Sequence, residues 1–147
     1  MKLTHWSKDD LGEVYSVTPG FVRDRPSPFG KPKGFWLSDE SDEGSWSAWC
    51  AAEGFPRGDV RTDFFVTLDD VLHLKDTVGL LWFTDTYGRW EDGIDWPRVG
   101  RDFKGILITP YNWDMRLELD WYYGWDCASG CFWDVSCLTK SDVAKAA

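Results

Sequence analysis

The sequence predicts an α+β domain, in which short strands and short helices mix without a regular alternation. Three observations predict it. Short segments rich in β-branched and aromatic residues recur along the chain, as at Gly34–Ser38, Arg61–Leu68 and Lys104–Pro110. Helix-start signals stand at Ser45 and at Asp95-Trp96-Pro97, and an apolar stretch with few breakers runs from Val78 to Tyr87. The order of these segments gives no strict strand–helix–strand rhythm, which argues against a doubly wound parallel sheet.

The first strand is read at Lys2–Ser7. Residues 8–33 hold four of the seven prolines and several glycines, so they read as an ordered loop region. Gly34–Ser38 is the second strand, and Asp39–Glu43 is an acidic loop read as a solvated turn. A helix is expected from Ser45 to Glu53, closed by Gly54-Phe55-Pro56. Strands follow at Arg61–Leu68 and Val71–Leu74, then a helix over Val78–Tyr87 and a turn at Gly88–Gly93 that carries Trp90 on its surface. A short helix starts at Asp95 and ends near Asp102, and Lys104–Pro110 is a strand with a buried centre. Tyr111–Trp125 reads as a long ordered loop, Gly130–Asp134 as the final strand, and 139–147 as a frayed or helical tail. The expected total is five to seven strands with two or three helices.

The chain of 147 residues fits one domain, spanning 1–147, with a single core. With 43% hydrophobic and 28% charged residues it belongs with globular rather than disordered chains. It carries 11 Trp, 9 Phe and 5 Tyr, more large rings than a small core fully buries, so some are expected to line a groove or interface. The net charge of −9 argues against non-specific nucleic-acid binding, which needs a basic surface. The one cationic cluster of note is Arg23, Arg25, Lys31 and Lys33. The opening residues lack a signal-peptide pattern, and no apolar run approaches transmembrane length. The expectation is a soluble, cytoplasmic protein without a membrane partner.

Cys50, Cys127, Cys131 and Cys137 are then expected as thiols. Their spacing includes no CxxC knuckle, and the acidic loop reads as solvated, so no metal is expected. Phosphate-binding, zinc-protease and serine-hydrolase motifs are missing from the sequence. Of the two histidines, His73 lies between leucines in an extended piece and reads as structural. His5 precedes Trp6 and Ser7 at the end of the first strand, where polar groups are well placed to meet a ligand.

Four short stretches resemble a known family. Leu3-Thr4-His5-Trp6-Ser7 is similar to the first-strand motif of the ADP-ribosyltransferase fold in its diphtheria-toxin and poly-ADP-ribose-polymerase branch. Gly34-Phe35-Trp36-Leu37-Ser38 resembles the second-strand motif, and Trp46-Ser47-Ala48-Trp49-Cys50 the helix that follows. Gly130–Asp134, continuing to Leu138, resembles the closing strand. The resemblance implies two small packed β-sheets with two or three short helices around a cleft that holds NAD. It implies that His5 bonds the adenosine ribose, that the backbone at Trp6 holds the nicotinamide amide, and that Gly34 belongs to the binding motif. Trp36 and Trp49 would flank the nicotinamide ring, with Ser38 or Ser47 donating to the amide. Two positions depart from the pattern. Trp6 stands where glycine is usual, and no glutamate opens the closing strand, where Ser129 falls. Asp126 or Ser129 would then fill the catalytic place, with Glu118 a more distant substitute.

The implied activity is NAD-dependent transfer of ADP-ribose to a macromolecular target, protein or nucleic acid. A toxin, a phage-encoded modifier of host machinery and a housekeeping protein all fit the composition. The alternatives are a member of that fold that binds NAD, ADP-ribose or a macromolecule without transfer, and a tryptophan-rich module for a nucleotide, sugar or partner protein.

Overall fold

A computed structural model describes residues 1–141, so the expectation for the tail over 142–147 lies outside the described residues. Among the described residues there are seven strands: β1 (Lys2–Ser7), β2 (Phe35–Ser38), β3 (Val60–Val66), β4 (Val71–Leu74), β5 (Gly105–Ile108), β6 (Ser129–Phe132) and β7 (Leu138–Lys140). The same residues form four α-helices: α1 (Trp46–Glu53), α2 (Thr77–Tyr87), α3 (Trp96–Asp102) and α4 (Asp120–Tyr123). The architecture is mixed α+β.

The strands form one sheet in the order β4-β5-β6-β2-β1-β3-β7, where two sheets were expected. Only β4 and β5 run parallel; every other pairing is antiparallel. The single sheet has one weak seam. β1 pairs with β3 along its full length, from Lys2 opposite Phe65 to Ser7 opposite Val60, and β2 pairs with β6 from Phe35 to Ser38. Between β1 and β2 the register holds a single pair, Thr4 opposite Ser38. The chain therefore builds two well-paired ribbons that part on either side of one contact.

Pleating assigns neighbouring residues to opposite faces. Ile106, Ile108, Cys131 and Trp133 pack on one face with α2, α3 and the Trp96, Trp121 and Trp125 rings. Leu107, Phe132, Leu3, Leu37 and Phe64 form a smaller cluster on the other face. β5 is buried along its whole length, which is why Gly-Ile-Leu-Ile reads as a continuous apolar run rather than an alternating one. The four core tryptophans each find an acceptor: Trp96 Nε1 donates to the Gly30 carbonyl at 2.9 Å, Trp121 Nε1 to Thr84 Oγ1 at 2.9 Å, Trp125 Nε1 to the Ser129 carbonyl at 3.2 Å, and Trp133 Nε1 to the Phe103 carbonyl at 2.7 Å.

Local signals set the helix ends. Ser45 Oγ accepts from the Ala48 N–H at 3.2 Å, and Gly54, at φ 66°, closes α1. Asp76 accepts from the Gly79 N–H at 2.8 Å, and Asp95 from the Arg98 N–H at 3.3 Å. Three expectations are corrected. A fourth helix, α4, and a 3-10 turn at Trp113–Met115 occupy the segment read as loop. The start of the tail forms β7, whose Leu138–Lys140 adds to the β3 edge through pairs with Phe64–Val66. The acidic loop is not a solvated turn. Asp39 is buried and accepts from Thr109 Oγ1 at 2.6 Å and Ser41 Oγ at 2.5 Å, while Asp42 accepts from the Gly44 N–H at 2.9 Å.

Candidate functional site

The seam between β1 and β2 opens a cavity of about 420 Å³. It lies in the size range of small-molecule sites. β1 supplies Thr4, His5 and Trp6; β2 supplies Trp36, Leu37 and Ser38; α1 supplies Trp46; the segment entering β6 supplies Trp125, Asp126, Cys127 and Ser129. The loop before β2 adds Lys31. Three of the four stretches singled out in the sequence therefore border one cavity directly, and the fourth, the β6 stretch, reaches it through the residues just before Gly130.

His5 stacks on Phe35, with ring centroids 4.5 Å apart, and its Nδ1 lies 2.9 Å from the Trp36 carbonyl. A carbonyl only accepts, so Nδ1 carries the proton, and Nε2 of the neutral ring keeps its lone pair for another donor. This contact also ties β1 to β2 beyond their single register pair. Trp36 packs on Trp125 at 4.7 Å, and Lys31 Nζ stands 5.8 Å from the Trp36 ring centroid. Trp6 carries Arg57 over its ring at 3.8 Å and Arg61 at 5.5 Å. Its indole N–H is buried and has no partner among the described residues, unlike those of the core tryptophans.

The hydroxyls at the site have internal partners. Ser38 Oγ donates to Glu40 at 2.6 Å and accepts from the Trp46 N–H at 2.9 Å, fixing the start of α1 to the end of β2. Ser129 Oγ donates to the Cys127 carbonyl at 3.0 Å. Asp126, the one carboxylate on the cavity lining among the described residues, is paired with Arg116 at 3.2 Å. Arg116 also donates to Tyr111 Oη at 2.9 Å, which anchors the guanidinium. Burial pushes the Cys127 thiol up to about 12, so it remains protonated and is a poor nucleophile at neutral pH.

Four predicted residues stand outside the lining, and one of them, Glu118, borders a separate concavity. Gly34 instead gives close packing: a Cβ there would lie 2.6 Å from Cys131 Sγ and 2.9 Å from the Phe132 carbonyl oxygen. Ser47 Oγ donates to Glu40 and accepts from Arg57 at 3.3 Å. Trp49 stacks on Trp46 with centroids 5.2 Å apart and planes 9° from parallel. The expected Trp36–Trp49 pincer is therefore not formed, and Trp46 is the α1 ring at the cavity. The reason is position along the helix rather than its face. Positions three apart share a face, and the bond to Ser38 fixes Trp46, the first of the two, against the sheet.

Sequence reasoning missed Trp46 as a lining ring, along with Trp125, Thr4 and Lys31. Trp46 had a signal, since it follows the Ser45 cap directly and so stands nearest the strand end. Trp125 had none, because its place depends on the loop and α4 before it. Among the described residues no group of three or more His, Cys, Asp or Glu side chains could hold a metal ion, and no helix is long and apolar enough to cross a membrane. No family model, no curated protein and no solved structure matches the chain.

Proposed function

We propose that the cavity at the β1–β2 seam binds NAD and that the chain transfers its ADP-ribose to a macromolecular target. One observation carries the reading: His5 and Trp6, Trp36 and Ser38, Trp46, and Asp126 and Ser129 come from separate stretches of the sequence and border one cavity. In this reading the His5 Nε2 lone pair accepts from a ribose hydroxyl. The Trp36 and Trp46 rings flank the nicotinamide, and Lys31 offsets the charge of the diphosphate. The bond between ribose C1′ and the nicotinamide nitrogen breaks, and its electron pair leaves with nicotinamide. Asp126 stabilises the cationic ribose. The target's nucleophile then adds to C1′ and loses its proton.

A second reading, binding without transfer, is favoured by a specific observation. Asp126 is already paired with Arg116, and Ser129 Oγ already donates to the Cys127 carbonyl. The two readings separate in one experiment. The chain is incubated with NAD, nicotinamide release is followed by chromatography, and thermal unfolding is measured with and without NAD. Release that disappears in Asp126→Asn supports transfer. A raised Tm without release supports binding alone; NAD at a hundred times its Kd adds about 2.7 kcal/mol of stability. Neither effect overturns both readings.

A further inference from the structure

A second concavity, of about 510 Å³, lies next to the first. Trp125 lines the seam cavity and Trp121 lines the second, and their ring centroids are 6.0 Å apart. The floor of this groove includes Trp121 and Ile94, both buried. One wall carries Trp90, which is 100% exposed, and Leu117, beside the groove residue Glu118, is 79% exposed. A fully exposed indole at the edge of a groove with a buried aromatic floor offers its ring face to a partner side chain.

Charge selects the partner. Asp85, Glu118 and Asp120 line the groove, and none is in an ion pair among the described residues. Arg89, the one cationic residue on the lining among the described residues, is held by Asp95 at 2.6 Å. An exposed indole face and unpaired carboxylates act on the same kind of group, a cation that the ring attracts by its quadrupole and the carboxylates by charge and hydrogen bonding. Nucleic acid is repelled by these carboxylates and by the net charge of −9. We propose that this groove docks an arginine- or lysine-rich segment of a partner protein, seating a cationic side chain against Trp90. The inference stands on the groove alone and does not depend on NAD binding at the neighbouring cavity.

The test uses fluorescein-labelled heptaarginine and fluorescence anisotropy at low salt, without NAD. The variants are Trp90→Ala, the groove triple Asp85→Asn with Glu118→Gln and Asp120→Asn, and a control triple Asp9→Asn with Asp10→Asn and Glu13→Gln. All these side chains are exposed, so the variants are expected to fold, and circular dichroism verifies it. Trp90→Ala raises Kd by about threefold. The groove triple raises it by about tenfold, and the control triple by less than about twofold. Absence of peptide binding, an unchanged Kd in Trp90→Ala, or equal weakening by the two triples overturns the proposal. So does sedimentation showing that the face is covered by a second copy of the chain in a dimer that Trp90→Ala dissociates.

Discussion

Thr109→Val tests the buried contact that joins the end of β5 to the loop after β2. Thr109 and Asp39 are each 5% exposed, and Thr109 Oγ1 donates to Asp39 Oδ2 at 2.6 Å. Asp39 Oδ1 is served separately, by the Ser41 N–H at 3.1 Å and by Ser41 Oγ. The substitution keeps the shape and removes only the hydroxyl, leaving a buried carboxylate oxygen without its donor. Hydrogen bonds to charged groups contribute about 1.5–3 kcal/mol, and the gained methyl returns less than about 0.8 kcal/mol. A net loss of about 2 kcal/mol is expected. With a urea m-value of about 2 kcal/mol/M, the midpoint falls by about 1 M at constant slope. The assay is equilibrium urea unfolding followed by tryptophan fluorescence, with Thr67→Val, at an exposed position, as a control that moves by less than about 0.5 kcal/mol. A midpoint shift below about 0.3 M refutes the reasoning, because the Asp39 oxygen then gains nothing from Thr109. The same residue joins the loop to the β6 side, since the Asp39 N–H donates to the Ala128 carbonyl at 2.8 Å.

Burial raises the Cys127 thiol from its ordinary 9.0 to about 12, so the folded state favours the neutral form. That stability is fully present below about pH 9 and is lost as pH rises toward 12; Cys127→Ala removes roughly 3 kcal/mol of the fall between pH 8 and 11, and an unchanged alkaline slope in urea melts refutes it. Gly34→Ala drives a Cβ against Cys131 Sγ and the Phe132 carbonyl. It lowers stability by about 1–3 kcal/mol, and a urea midpoint equal to wild type shows that β2 and β6 have room to spare. Arg116→Met removes the partner that orients Asp126. If transfer occurs, freeing the Asp126 charge raises nicotinamide release severalfold while the NAD-induced rise in Tm remains; an unchanged or lower release refutes the idea that Arg116 restrains Asp126.

Much of the fold was legible because its signals are local. The Ser45, Asp76 and Asp95 caps each bond an N–H three residues on, so a few neighbouring side chains suffice to set a helix start. β7 was not legible. Leu138-Thr139-Lys140 is short and half polar, and it is a strand only because β3 offers a free edge. α4 escaped for a related reason. Arg116–Asp120 alternates like a strand, but the Glu118 and Leu119 N–H groups both donate to the Met115 carbonyl and wind the segment into turns. At the site, strand positions could be read only in part: the pleat sends Trp36 to the Trp125 face and the His5 ring to the Phe35 face, and both strands border the cavity because they part at the seam. The helix position could not, since choosing Trp46 over Trp49 requires knowing where the end of β2 stands. The acidic loop misled because Asp39 finds its donor seventy residues away in Thr109.

The charges around the seam cavity bear unequally on its two readings. A cationic ribose is stabilised by an unbalanced negative charge close to it. Asp126 supplies that charge only in part, because Arg116 stands 3.2 Å from one carboxylate oxygen and turns the pair into a dipole. Lys31, on the same lining, opposes a developing cation and suits an intact diphosphate. The His5 lone pair acts on a hydroxyl that stays neutral, and the Trp36 ring favours the cationic nicotinamide of the intact ligand over the neutral leaving group. Binding therefore draws on most of the lining, whereas transfer draws on Asp126 alone. Chemistry at this cavity depends on whether ligand entry, or a docked target, separates Asp126 from Arg116. The Tyr111 hydroxyl gives the freed guanidinium a partner to keep, since Arg116 already donates to it at 2.9 Å.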